Sequence, residues 1–242
     1  MTVLSPGAIV AKDLVKKHGR RFQLGPLSLH LEPGVTCLVG ANGAGKSTLF
    51  RVVAGIDRPS SGSLRLEGPG SQLLGYLPEE LDLPRAATCE EFLHYVAWLH
   101  RVPRKDRDAA VTSVLEQTRL LDRRQSKIRE LSKGMRQRLG IAHALVHNPP
   151  VVLLDEPSGG LDPRQRAVLR ETIVGNAQNR VVLVSTHLVE DVRGLGGRVI
   201  VIRNGSLVFD GSVVELERCD VASAPGETPL ERAVSGLIGE SE

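Results

Sequence analysis

Apolar residues early in the chain recur in short groups broken by Gly, Pro and Ser, so residues 9–66 read as a series of strands. Leu27, Leu29 and Leu31 alternate with Ser28 and His30, the period of a half-buried strand. Gly34 then turns into the continuous apolar run 35–39, followed by a glycine-rich loop and a helical pattern over 47–54. From Thr88 to about His147 the period lengthens. Phe92, Val96 and Leu99 fall at i, i+4 and i+7, and Thr88 with Glu91 predicts a capping box at the start of that helix. Val111, Val114 and Leu115 mark a second helix ahead of Leu120 and Leu121, and a third begins near Lys133 and is broken by Pro149 and Pro150. The runs 151–154 and 181–184 are short, continuous and rich in Val, which suits strands buried on both faces of a parallel sheet. Residues 199–202, the pair Asn204-Gly205 and residues 206–209 predict a closing hairpin. Beyond Gly211 the pattern predicts a short helix, a linker over 222–229 and a final amphipathic turn or two.

Length and composition narrow the class. The 242 residues suit one domain with subdomains, or one domain and a tail. A hydrophobic share of 41% supports a large core, and a charged share of 24% is ordinary for a water-exposed surface. The net charge of +3 gives nucleic-acid binding no support. The densest basic stretches, 101–107 and 119–129, are interleaved with acids and read as solvated helix faces. Aromatics at 3% are too few for a base-stacking platform. No stretch reaches the roughly 20 apolar residues that span a bilayer, and the N-terminus does not read as a signal peptide. Cys37, Cys89 and Cys219 are odd in number and widely spaced, which predicts inert thiols in a reducing compartment.

Two motifs carry chemistry. Gly40-Ala41-Asn42-Gly43-Ala44-Gly45-Lys46-Ser47 matches the phosphate-binding pattern G-x-x-x-x-G-K-[ST], with Thr48 next in line. Its glycines allow successive backbone N–H groups to face one polyphosphate, and the helix that follows adds its positive N-terminal end. Lys46 is expected to reach the β- and γ-phosphates, and Ser47 to hold Mg²⁺. The motif specifies nucleotide binding without separating a kinase from a GTPase or a motor. The apolar run 151–154 ends in Asp155 and Glu156, which a buried strand must aim into a cleft at its C-terminal edge. Asp155 is expected to hold Mg²⁺, and Glu156 to polarise the attacking water.

Leu131-Ser132-Lys133-Gly134-Met135-Arg136-Gln137 resembles the signature of the ABC ATPases and sits between the two motifs above. It departs from the commonest form at Lys133 and Met135, positions whose backbone contacts survive the change. Ser158-Gly159-Gly160-Leu161-Asp162 is similar to that family's D-loop, and Ser185-Thr186-His187 to its switch-histidine segment. The resemblance covers residues 8–215, the expected ATP-binding domain. It implies an α/β P-loop NTPase (RecA-like) core, an N-terminal antiparallel β subdomain and an inserted helical subdomain over about 80–148, with 216–242 as a C-terminal extension. It further implies that Ser132 and Gly134 meet the γ-phosphate bound by a second subunit, that Asp162 contacts that subunit, and that His187 holds the water and Glu156 in register. Two positions stay open. Glu79 stands where the family carries a Gln, as a site carboxylate or an exposed turn residue. The adenine-stacking ring falls to His18, with Phe22 as its rival.

The implied molecule binds ATP and Mg²⁺, works as a homodimer or paired ATPase subunit, and drives an integral-membrane permease on a separate chain. That places it in the cytoplasm, peripheral on the cytoplasmic face of the membrane, with no nucleic-acid partner. The alternative is a soluble ABC ATPase in a maintenance process such as Fe–S cluster assembly. The segment from Pro229 to Gly239 is loosely similar to the closing segment of drug- and polysaccharide-type exporters. With the Leu-Ser-Lys-Gly-Met signature and the Leu77-Pro78-Glu79 loop, it favours export.

Overall fold

The computed structural model describes residues 7–19, 21–68 and 74–239. Strands β1 (Ala8–His18) and β2 (Phe22–Leu31) pair antiparallel, and the alternating leucines of β2 are buried while Ser28 and His30 face outward. Strand β3 (Gly34–Val39) runs through the glycine loop into α1 (Lys46–Val53), and β4 (Ser61–Glu67) returns to the free edge of β1. The result is a three-stranded antiparallel sheet in the order β2-β1-β4.

The chain next enters β5 (Leu74–Leu77) and leaves it for three helices, α2 (Cys89–Leu99), α3 (Arg107–Gln117) and α4 (Lys133–Leu145). It returns in β6 (Val151–Asp155), the parallel neighbour of β5, so the three helices are an insertion between adjacent strands. Helix α2 opens on the predicted capping box, with Thr88 and Glu91 exchanging side-chain and backbone bonds. Its buried face is Cys89, Phe92, Leu93, Val96 and Ala97. Leu99, expected on that stripe, is instead 58% exposed. The buried arc centres near Leu93 and Val96, which leaves Leu99 past its edge beside Tyr95.

Helix α5 (Pro163–Gly175), β7 (Val181–Thr186), α6 (Val189–Leu195), β8 (Arg198–Arg203) and β9 (Ser206–Ser212) complete the second sheet. Its order is β5-β6-β7-β3-β8-β9, parallel throughout except for the hairpin partner β9. Asn204 and Gly205 both have positive φ, at 49° and 79°, as the predicted two-residue turn demands. All residues of β6 and β7 are buried, matching their unbroken apolar runs. Alternation through the sheet feeds two cores. Leu38, Leu153 and Leu183 face the antiparallel sheet and α1, whereas Cys37, Leu154 and Val184 face the inserted helices and α5 and α6.

The segment beyond 215 is structured. Helix α7 (Val213–Glu217) is followed by α8 (Pro229–Ile238), a longer element than the expected turn or two. Thr228 and Glu231 form a capping box at the start of α8, and Leu230, Ala233 and Val234 enter the same core as the inserted helices. Residues 240–242 of the expected extension lie outside the described residues. No described helix is long and apolar enough to cross a membrane.

Candidate functional site

The C-terminal ends of parallel strands β3, β6 and β7 deliver three loops to one edge of the sheet, the usual position for a ligand site in this topology. The loop after β3 contains Gly43 at φ 81° and Gly45 at φ 112°, conformations in which a side chain would be strained. A Cβ on Gly45 would also lie 2.9 Å from the ring of Phe22 and from Leu24. Helix α1 starts immediately after Gly45 with no side-chain cap, so its first N–H groups face outward to whatever anion occupies the loop. Lys46 is buried and its Nζ donates to the Gly40 carbonyl at 2.8 Å and the Ala41 carbonyl at 3.4 Å. The same ammonium lies 3.4 Å from Glu156 Oε1.

Asp155 and Glu156, adjacent in sequence, are fixed differently. Asp155 ends β6 and is buried, and its Oδ1 accepts from the Ser185 hydroxyl at 2.5 Å. Burial pushes its carboxyl above the usual range, opposed by hydrogen bonds from Ser185 and Ser47, while neighbouring Glu156 raises it further. Glu156 carries its backbone at φ 47°, a left-handed conformation for a non-glycine residue. That twist turns its N–H onto Ser185 Oγ at 2.8 Å and its side chain toward the glycine loop. His187 Nδ1 donates to Glu156 Oε2 at 2.8 Å from the segment after β7. Ser185 thus ties both acids to the neighbouring strand, a role the sequence reading did not give it.

A cavity of about 340 Å³ is lined by Asn42, Gly43, Lys46, Ser47, Glu156 and His187, and by Glu79 from the loop after β5. Glu79 therefore joins the phosphate loop and the general-base candidate, where the sequence left it open. A second cavity of about 580 Å³ shares Glu79, Glu156 and His187 and runs to Lys133 and Arg136 on α4. His18 Nε2 lies 3.5 Å from Thr48 Oγ1, at the start of α1. Phe22 is half-buried with its ring against Gly45, and the exposed ring is His18.

Ser132, Gly134 and Asp162 are not among the residues lining the phosphate-loop cavity. Ser132 caps α4 by accepting from the Met135 N–H at 3.3 Å, and Asp162 caps α5 by accepting from the Gln165 N–H at 2.8 Å. The two segments pack on each other. Gly134 sits under the Gln165 side chain, and Lys133 Nζ lies over Gly160. Ser132 is exposed and Gly134 buried.

Ser47 and Glu79 line one polar cavity, and Asp155 stands behind Ser47 within hydrogen-bond reach of its hydroxyl, an oxygen donor set that suits a hard divalent cation such as Mg²⁺. A glycine nest, a lysine, a paired Glu–His and such a cation site together can bind a polyphosphate and direct a water at its end.

Comparison with known proteins points the same way. Residues 24–159 match the family model described as ABC transporter. The Nod factor export ATP-binding protein I of Burkholderia pseudomallei is 32% identical, over 94% of this chain and 80% of its own length. The ATP-binding protein YdbJ of Bacillus subtilis is 32% identical, over 94% and 77%. An ABC transporter ATP-binding protein of Synechocystis is 35% identical over 80% of this chain, which spans 57% of that relative's length. Among solved structures, cbiO1 of Clostridium perfringens, described as part of the ABC transporter complex cbiONQ, superposes with a TM-score of 0.76 at 25% identity, covering 84% of this chain and 87% of that one.

Proposed function

The chain belongs to the ABC transporter family of ATP-binding subunits, and on that premise we propose that it closes on ATP as a head-to-tail dimer and drives an exporter. ATP-binding subunits of this family are ATPases that power transport and pair with membrane permeases. What carries the reading to particular residues is the convergence of Asn42, Lys46, Ser47, Glu156 and His187 on one cavity.

In this reading the N–H groups from Asn42 to Thr48, with Ala44 and Gly45 among them, bind the phosphates, and Lys46 leaves the Gly40 carbonyl to join them. Ser47, Asp155 and Glu79 would hold Mg²⁺, which would supply positive charge against the phosphates when bound. Glu156 orients a water for in-line attack on the γ-phosphorus and takes its proton as the P–O bond to the β-phosphate breaks and ADP leaves. His187 keeps the Glu156 carboxylate aimed through their 2.8 Å bond. His18 covers the base. The second half of the site comes from a partner subunit, whose Ser132 and Gly134 bring a helix N-terminus to the γ-phosphate and whose Asp162 touches the facing loop. An anion held by both subunits favours the closed pair over the open one, which is how ATP does work.

The permease is proposed to dock on a groove of about 510 Å³ in the helical insertion, lined by Leu83, Pro84, Ala87, Phe92 and Tyr95. Tyr95, Trp98 and Leu99 are more than half exposed along α2, an apolar face of the kind that marks an interface. The groove adjoins the loop that carries Glu79, so movement of the partner reaches the cavity directly. Export is supported by the likeness to the Nod factor export proteins and by the form of the signature and tail. Such a complex sits on the cytoplasmic face of the membrane.

The test is purification of the tagged chain from detergent-solubilised membranes and from cytosol, with the accompanying chains identified by mass spectrometry. A polytopic membrane protein in stoichiometric amount, lost when Tyr95 becomes Asp, is the expected result. Recovery only from cytosol with soluble partners would replace the transporter by a maintenance ATPase.

A further inference from the structure

The ATPase reading uses Glu156 and His187 but not the buried cluster that lies behind them. Asp191 is 2% exposed, on α6, four residues after His187. Its Oδ2 accepts from the hydroxyl of Ser158, two residues beyond Glu156, and from the Thr186 hydroxyl at 3.4 Å. Its Oδ1 is bound to Arg170 Nη1 from α5 at 3.0 Å, which supplies the charge that a buried carboxylate requires. Thr186 Oγ1 also accepts from the Leu188 N–H at 3.0 Å and so closes a ring around the backbone of His187. On the other side, the Gly159 N–H donates to the Glu156 carbonyl at 3.1 Å.

Helix α6 makes room for Arg170 at a second point. Gly194 lies inside α6, where glycine weakens a helix. A Cβ there would lie 2.5 Å from Arg170 Cδ and Nε, because the arginine crosses the helix at that point to reach Asp191.

We propose that Asp191 is a positioning residue that locks the Ser158 loop and the His187 segment into one unit, so that Glu156 and His187 keep their mutual geometry when the loop is moved by a partner subunit. The proposal rests on the ATPase reading above. In it, Asp191 touches no substrate. It acts through two hydroxyls, each next to a different member of the pair that directs water. Loss of the carboxylate should therefore reduce turnover and leave nucleotide affinity alone, since the phosphate loop shares no bond with the cluster.

The experiment measures kcat, KM for ATP, ATP affinity by calorimetry, and Tm for wild type, Asp191→Asn, Ser158→Ala, Ser158→Thr and the double variant Ser158→Ala/Asp191→Asn. Active wild type is the reference, so a failure of the ATPase reading shows there and separately. Asp191→Asn is expected to lower kcat at least about tenfold with KM and affinity held within about threefold. Ser158→Ala should lower kcat, Ser158→Thr should restore most of the loss, and the double variant should be no slower than Asp191→Asn. An unchanged kcat in Asp191→Asn, strictly multiplicative losses in the double variant, or a fall in ATP affinity that tracks Tm would overturn the proposal. If Asp191→Asn does not fold, the Ser158→Ala and Ser158→Thr pair decides, and equal kcat in the two would overturn it.

Discussion

Glu156 is the residue on which the most separate constraints meet. A left-handed backbone at φ 47°, a donor bond to Ser185, an ion pair with Lys46 and a hydrogen bond from His187 all act on it. Holding a non-glycine residue in that region costs about 1 kcal/mol or more, and the surrounding bonds over-determine it. This is an expensive way to place a carboxylate unless its direction matters. Glu156→Gln keeps the shape and every neighbour but cannot take a proton. The expected result is a fall in ATP turnover of about 100-fold or more, with ATP affinity within a few-fold of wild type by calorimetry. Turnover at the wild-type rate would remove Glu156 as the base. At this scale most of the site was legible, because a phosphate loop and a strand ending in two acids are local patterns. Ser185, Asp191 and Arg170 were not, since their role exists only once β6, β7, α5 and α6 stand side by side. Glu79 was half legible: its place in the chain was clear, but its presence in the cavity depended on how the loop after β5 folds back.

At the scale of elements, the helical insertion carries a charge-sensitive joint. His147 is stacked on His100 with ring centroids 3.8 Å apart, and His143 stacks on Phe92 at 5.8 Å. Burial, with the nearby His100, pushes both His143 and His147 down to about 4. His147 Nε2 meets the Leu74 carbonyl, and Arg180 adds repulsion to any charge formed there. These rings are neutral in the folded chain, whereas the unfolded chain takes up protons near the ordinary histidine value of 6.5. The unfolded state therefore binds more protons between those values, so stability is full above about 6.5 and is lost as pH falls toward 4. At pH 5.5 the loss is about 1 kcal/mol for each ring. Urea unfolding at pH 7.5 and 5.5 should show that drop, and His147→Gln should remove about half of it; an equal drop in the variant would place the sensitivity elsewhere. The helices of this insertion were readable from their period and from the Thr88 box. Their stacking was not, because the period of α2 does not tell which edge of its stripe meets α4, and Leu99 fell outside. Likewise α8 was underestimated: Leu230, Ala233 and Val234 look like a short amphipathic end until the core that receives them is in view.

For the whole molecule, fold and chemistry are joined by the direction of the parallel strands. Because β3, β6 and β7 point the same way, the phosphate loop, the two acids and His187 must reach one edge together. The insertion between β5 and β6 then hangs the signature helix and the proposed docking groove from the loop that carries Glu79. Within a single chain, Asn42, Gly43, Lys46 and Ser47 line one cavity with Glu156 and His187, but the Ser132 helix start is exposed and lines no part of it. The resemblance of residues 131–137 to the ABC signature implies the proposed division, although both of its halves lie in every copy. If two copies complete each other's sites, the molar mass of Glu156→Gln by light scattering, with and without ATP and Mg²⁺, reports it. Monomer is expected without nucleotide and dimer with it, reverting to monomer when Mg²⁺ is chelated or when Ser132→Arg is added. A Glu156→Gln protein that binds ATP yet stays monomeric, or a Ser132→Arg version that still dimerises, would contradict the composite site.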